Sequence, residues 1–441
     1  MDIFKLKKNN TTVLTEIYAG ITIFITVAYI FSMNPEILSS AGMDKSAVFT
    51  ATILAAVIGT LCMAFFSNYP FVLAPGMGIN IYFAQTVAKE YGWEIALCAV
   101  FIEGIIFIII STINIKETVF NAIPQNLKYA VSVGIGLFIT FMGLKNSGIV
   151  VIDESFVISI GDIKKVGFCL AVIGIIIIGV MSYYRVKGAM LWGILIVYIM
   201  GIGCELIGWY EVSDKCPSLI PHEIISFPSS IGSINIIKAF EAVKFDSISL
   251  FDFFSVIVSF LFIDLFSTAA IFIGLSEKAG ISDEKGGFLK FKNVLLADAV
   301  GTIAGTALGA PVTTTCVESA AGIVQGGKTG LSSVTAAVLF FLLLFFSPVF
   351  FSIPSFAVAP ALIIVGLFMI DSVTKIDFSD FTEAIPAFLI IIITPFSTSI
   401  VNGIIFGVLS YVVLKVLTGR KKNVSIVMYV IAFIFLVKLF L

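Results

Sequence analysis

Charge is scarce in this chain. Asp, Glu, Lys and Arg make up 12% of its 441 residues, against about a quarter in soluble domains. The formal net charge is −2, so no basic field points to nucleic acid. Histidine is nearly absent: His222 is the only one, which argues against His-dependent acid–base catalysis. The six cysteines (62, 98, 169, 204, 216 and 316) lie mostly inside apolar runs and form no CxxC pair. With neither Cys nor His clustered, a zinc or haem site is not expected, and no cofactor is called for. No small-residue cleavage site follows "MDIFKLKKNN", so the first helix is expected to serve as its own signal. A nucleophile–base pair and a soluble catalytic domain are missing too, so the chain does not read as an enzyme.

Fat is what the chain has instead. It is 59% hydrophobic and carries 43 Phe, and apolar windows of about 18 residues or more recur along its length, each reading as a spanning helix. Spans are expected near 16–34, 46–66, 76–89, 93–113, 126–144, 165–183 and 188–207. A polar loop, 208–247, separates them from a second series near 250–276, 290–307, 314–326, 330–351, 356–371, 382–396 and 399–417. The apolar stretch 424–440 is either an extra helix or a sign that 382–417 divides differently. Placing the N-terminus inside puts Lys5, Lys7, Lys8, Lys116, Lys128, Arg185, Lys187, Lys278, Lys285, Lys290, Lys292, Lys328, Lys375, Arg420, Lys421 and Lys422 on the cytoplasmic side. It leaves Lys45, Lys89, Lys145, Lys164, Lys165, Lys215, Lys238 and Lys244 outside, partly in the long loop where charge counts less. That bias fits the positive-inside rule. Cys204 and Cys216 flank the start of the long loop and could pair in an oxidising exterior.

Two spans do not fit. Segments 76–89 and 314–326 would rise only about 20 Å, short of a bilayer core of about 30 Å. Each follows a stretch broken by Ala-Pro, "FVLAPGMGIN" (71–80) and "LGAPVTTTCVES" (308–319), and each is third in its series of seven. An odd number of spans per repeat inverts the second copy. Short, Gly/Pro-interrupted segments at matching places in two halves point to a transporter's midplane site; re-entrant channel loops are the competing reading.

Acids inside spans are costly and therefore functional candidates. Asp264 lies in the middle of "FDFFSVIVSFLFIDLFSTAAIFIG", with Ser267 and Thr268 on the same helical face. Glu318 is placed one turn into the second short helix, near free N–H groups and the positive end of the dipole. Asn80, taken as the matching position of the first series, offers amide donor and acceptor together. Glu103 ("FIEGIIF") and Asp298 ("LLADAVGTIAG") either relay protons or hold the broken segments. Asp252 and Glu383 stand near span ends. "GGKTG" (326–330) lacks the strand and the spacing of a phosphate loop and reads as a connection. Asn80, Asp264 and Glu318 amid Phe-rich helices suit a flat polar heterocycle; a metal cation is the rival ligand, and no metal site is expected.

The motifs "APGMGIN" (74–80), "FIEGIIF" (101–107), "IDLFSTAA" (263–270), "ESAAGIVQGGKTGL" (318–331) and "ALIIVGLFM" (361–369) run nearly the full length. In them the chain resembles the nucleobase–cation symporter-2 family, in its AzgA-like branch of adenine/guanine/hypoxanthine permeases. The resemblance implies an all-α polytopic fold of about fourteen spans in two inverted repeats of seven. Spans 1–4 and 8–11 would form a core (15–115 and 248–351), and spans 5–7 and 12–14 a gate (116–207 and 352–441). Residues 1–14 would be a cytoplasmic N-terminus and 208–247 an extracytoplasmic loop. It further implies that Asn80, Asp264 and Glu318 contact a purine base, that Gly78 allows close approach, and that a proton is the coupling ion. The expected setting is the plasma membrane, with the lipid bilayer and the base as partners and a homodimer left open. Two departures stand out: Ser267 replaces a second acid usual in relatives, and "GAP" (309–311) replaces a Gly-Thr-Ser-like turn. A transporter of another nucleobase (xanthine or uracil) or of a small anion is the alternative.

Overall fold

The computed structural model describes residues 3–112, 124–151, 158–212, 217–221, 223–227, 236–242, 248–279, 291–397 and 399–440. Expectations at Lys116, Lys215, Cys216 with its pairing to Cys204, His222, Lys244, Lys285 and Lys290 lie outside those residues.

The apolar windows fold as helices: α1 (Val13–Val27), α2 (Ile30–Ser39), α3 (Lys45–Ser67), α4 (Met77–Tyr82), α5 (Ala88–Tyr91), α6 (Trp93–Thr112), α7 (Gln125–Asn146), α8 (Val166–Tyr183) and α9 (Ala189–Ile207). The second half begins after the short α10 (Ile236–Ala242), which lies within the long loop. It supplies α11 (Leu250–Ala279), α12 (Phe291–Leu308), α13 (Ser319–Val324), α14 (Gly330–Leu343), α15 (Ser347–Ser352), α16 (Ser355–Ile370), α17 (Phe381–Phe396), α18 (Ile400–Leu417) and α19 (Ile426–Phe440). Nine helical stretches among the described residues are long and apolar enough to cross a membrane. The stretch at 424–440 is an extra helix, and 381–417 divides into the hairpin α17–α18 as expected.

Between α3 and α4 the chain runs extended as β1 (Leu73–Pro75), and between α12 and α13 as β4 (Thr313–Thr315). A small hairpin, β2 (Val150–Val151) with β3 (Ser159–Ile160), lies in the loop after α7. β1 and β4 pair antiparallel, Ala74 opposite Thr314, with all six residues buried. Extended backbone at membrane depth survives only if protein satisfies its polar groups. Gly76 N–H donates to Val312 O at 3.1 Å, and Cys316 N–H to Val72 O at 2.9 Å. Thr60 Oγ1 donates to Leu73 O at 3.1 Å, and Thr302 Oγ1 to Thr313 O at 2.9 Å.

Those pairs are reciprocal, and the helices around them follow the same rule. α1 packs on α14 as α11 packs on α6, and α3 on α14 as α12 on α6. Elsewhere α7 lies along α16; α17 and α18 of one half embrace α7, while α8 and α9 of the other embrace α16. Two inverted copies thus interlock at the strand pair. α3 and α12 cross at glycines: a Cβ on Gly59 would sit 3.3 Å from Gly301 Cα, and one on Gly301 3.2 Å from Gly59 Cα. Without a hydrophobic drive inside lipid, such close backbone contact is what holds helices together.

The ends are pinned by charges. Glu16, fully buried on α1, accepts from Lys328 N–H (3.0 Å), Thr329 N–H (3.2 Å) and Ser332 Oγ (2.5 Å). The "GGKTG" connection therefore wraps its N–H groups around the protein's own carboxylate, which is why it need not be a phosphate loop. Glu383 pairs with the buried Lys415 at 2.7 Å across the α17–α18 hairpin, and Asp252 accepts from Ser249 Oγ at 2.7 Å at the start of α11.

Candidate functional site

The strand pair delivers two short helices to the middle of the molecule. α4 starts right after β1, and Asn80 N–H makes a first helical bond to Gly76 O at 2.9 Å. α13 starts after a tight turn at Cys316–Ser319, in which Ser319 N–H bonds Cys316 O at 3.1 Å. Glu318 is consequently the N-cap of α13, not a residue one turn into it. The reciprocal bonds of Gly76 and Cys316 also correct the pairing of the two halves: Gly78, and not Asn80, stands opposite Glu318. The two Ala-Pro breaks are not equivalent places, since Pro75 lies inside β1 while Pro311 precedes β4.

Each of the three central side chains has its own partners, and no hydrogen bond joins any two of them. Asn80 is fully buried; its Nδ2 donates to Asn34 Oδ1 at 2.9 Å, and Asn34 Nδ2 donates to Thr52 Oγ1 at 2.8 Å. The amide orientation follows: Asn80 Oδ1 is left buried with no partner. Glu318, half-buried, accepts at Oε1 from the hydroxyl of Tyr29 at 2.5 Å. Asp264 is fully buried, as are Thr268 and Asp298. Thr268 Oγ1 lies 2.6 Å from Asp298 Oδ2, 2.7 Å from Thr314 Oγ1 and 3.5 Å from Asp264 Oδ1. One hydroxyl carries one proton, so the short contact to Asp298 takes it and Thr314 donates back. The reach to Asp264 is too long to count for much, and Asp264 Oδ2 has no partner.

Thr268 therefore ties the Asp264 helix to α12 through Asp298 and to β4 through Thr314. Glu103, on α6, is fully buried with neither oxygen partnered and lies within electrostatic reach of Asp298 and Asp264. Among the described residues no group of three or more His, Cys, Asp or Glu could hold a metal. Ser267 is half-buried one residue before Thr268. Gly78 is needed where α4 meets α7: a Cβ there would fall 2.5 Å from Ile135 Cγ2.

Sequence reasoning missed Tyr29, Asn34, Thr52 and Thr314. A signal for the first two was present in "VAYIFSMNP", where Pro35 and the break at Ala28–Tyr29 mark a span interrupted at depth. Thr52 and Thr314 are buried hydroxyls with no pattern to separate them from ordinary helix and strand threonines. A cavity of about 1110 Å³, lined by Lys164, Trp209 and Phe356 among others, contains none of the central residues.

Comparison with known proteins places this geometry. The Permease family (Xan_ur_permease) matches residues 14–406. The guanine/hypoxanthine permease PbuO of Bacillus subtilis is 38% identical over 447 residues, covering 99% of this chain and all of that one. The adenine permease AdeP of Escherichia coli is 35% identical over 439 residues, covering 99% of this chain and 95% of that one. Among solved structures, the transmembrane domain of a cyanobacterium bicarbonate transporter, BicA, shares the fold with a TM-score of 0.66 at 14% identity, covering 89% of this chain and 97% of that one. A family match over nearly the whole chain, full-length relatives above 30% identity and an inverted-repeat transporter fold make this chain a multi-pass membrane permease of the Permease family, within its nucleobase–cation symporters.

Proposed function

We propose that the chain imports purine nucleobases of the adenine, guanine and hypoxanthine class, coupled to protons, by alternating access at the β1–β4 crossing. The observation that carries this reading is the pair of buried, unpartnered acceptors Asn80 Oδ1 and Asp264 Oδ2 beside the half-buried Glu318. Buried acceptors without partners are rare in proteins, and a heterocycle with several ring N–H groups satisfies them. A site of this kind rejects analogues that lack those donors by large factors. A small anion would bring more acceptors to carboxylates, which disfavours the anion reading despite the shared fold.

On this reading Glu318 and Asp264 contact the base, with Thr268 and Ser267 beside Asp264 and Gly78 on the opposite short helix. Asp298 and Glu103 stand behind them as proton relay or support. Residues 15–115 and 248–351 form the core and 116–207 and 352–441 the gate, in fourteen crossings with α19 added, the N-terminus facing the cytoplasm of a plasma membrane. The base site stays near midplane while the two bodies rock. Labelled adenine, guanine and hypoxanthine offered to proteoliposomes test the reading. Saturable uptake that collapses with an uncoupler is expected, and uptake of none of the three overturns it.

A further inference from the structure

A second cavity, of about 160 Å³, lies between α2 and the π-helical turn Phe83–Val87 on one side and α7 and α16 on the other. It shares the lining residues Glu36 and Ser355 with the 1110 Å³ opening, so the two are neighbours. Its inner wall includes Ile81, the residue after Asn80, and Glu36 lies two residues beyond Asn34, the partner of Asn80. The cavity wall thus runs from side chains of the larger opening to the residue next to Asn80.

Its polar lining is specific. Glu36 offers a carboxylate whose Oε2 is held by Lys45 Nζ at 2.8 Å, so the wall bears no net charge. Gln85 spends its Nε2 on Ser40 Oγ at 2.8 Å, which turns its carboxamide oxygen outward as an acceptor. Asn146, exposed at the end of α7, brings donor and acceptor together. Met142, Ile81 and Leu362 supply apolar faces. Gln85 is presented by a π turn, a local departure that redirects a side chain and recurs at functional sites. A void of about 150 Å³ accepts a benzene ring, so this one admits a flat heterocycle with its second ring toward the opening. Few polar groups between apolar faces is the common make-up of a small-molecule site.

We infer that Glu36, Gln85 and Asn146 form an access site that holds a nucleobase before it reaches Asn80, a proposal that rests on the chain being a nucleobase transporter. The site is independent of Glu318. In full-length protein carrying Glu318→Gln with Ser355→Cys, a water-soluble maleimide labels position 355, with the Glu318→Gln parent as the control for native cysteines. Hypoxanthine is expected to slow that labelling roughly ten-fold at about nine times its dissociation constant, and Gln85→Leu to remove the protection. Unprotected labelling, or protection that survives Gln85→Leu, overturns the access site even when wild-type protein takes up hypoxanthine. Failure of the wild type to take up any purine overturns the transport reading instead. Should Ser355→Cys not fold, Met142→Cys reports from the α7 part of the lining.

Discussion

Within the proposed site, Glu318 is the residue whose role a single substitution tests most directly. It caps α13, is half-buried, and has one oxygen already taken by Tyr29. Glu318→Gln keeps the shape and removes the charge, so base uptake should vanish while the protein still reaches the membrane and elutes as a single species. Wild-type uptake by that variant would remove Glu318 from the site. Tyr29→Phe frees Glu318 Oε1 from a hydrogen bond worth about 1.5–3 kcal/mol to a charged acceptor. The base then no longer competes with the phenol, and its half-saturating concentration should fall by roughly ten-fold or more; a rise would mean that Tyr29 holds the base jointly with Glu318. Asp264, Asn80 and Glu318 were legible in the sequence because polar groups at membrane depth are conspicuous. Tyr29 was not, since an aromatic in a Phe-rich span looks like lipid-facing filler until its hydroxyl finds a carboxylate.

Among the elements, the strand pair decides whether the site exists. Thr60 and Thr302 perform the same task on opposite strands, each donating to a carbonyl that has no helix to satisfy it. Removing one hydroxyl strands a buried acceptor at a cost of about 1–3 kcal/mol. Thr60→Val and Thr302→Val should each lower the melting temperature of purified protein, Thr60→Val the more, because Thr60 Oγ1 also accepts from Leu73 N–H at 3.0 Å. No loss from either, or the larger loss from Thr302→Val, would show that the strands are braced by other groups. The apolar helices along both halves could be read from hydropathy. Register could not: antiparallel pairing is fixed by which N–H meets which carbonyl, and small residues on both strands carry no pattern that announces it. That is why the sequence matched Asn80 to Glu318 where the hydrogen bonds match Gly78.

On the scale of the whole molecule, two inverted halves interlock, and α19 stands outside their symmetry and beyond the family match, which ends at residue 406. α19 packs on α18 and reaches α11 through Phe435, whose ring lies 6.4 Å from Phe262. In water, stripping off such a helix would expose an apolar face at great cost. In lipid that face meets acyl chains instead, and only contact quality is lost. A chain ended after Asn423 should therefore still insert, bind hypoxanthine and take it up within several-fold of the full-length rate. Loss of binding in detergent and in vesicles alike would make α19 part of the transport unit.

The crossing of β1 and β4 also sets a timetable for making the protein. Val72 and Gly76 leave the ribosome long before Cys316 and Val312, their hydrogen-bond partners. The gap is about 240 residues, on the order of 10–50 s at roughly 5–20 residues per second. Throughout that interval the first half holds an unpaired extended segment in or near the bilayer, where bare backbone is expensive. A ribosome stalled in the loop between the halves should thus expose an immature intermediate to membrane quality control, and release from surveillance should coincide with arrival of the second strand.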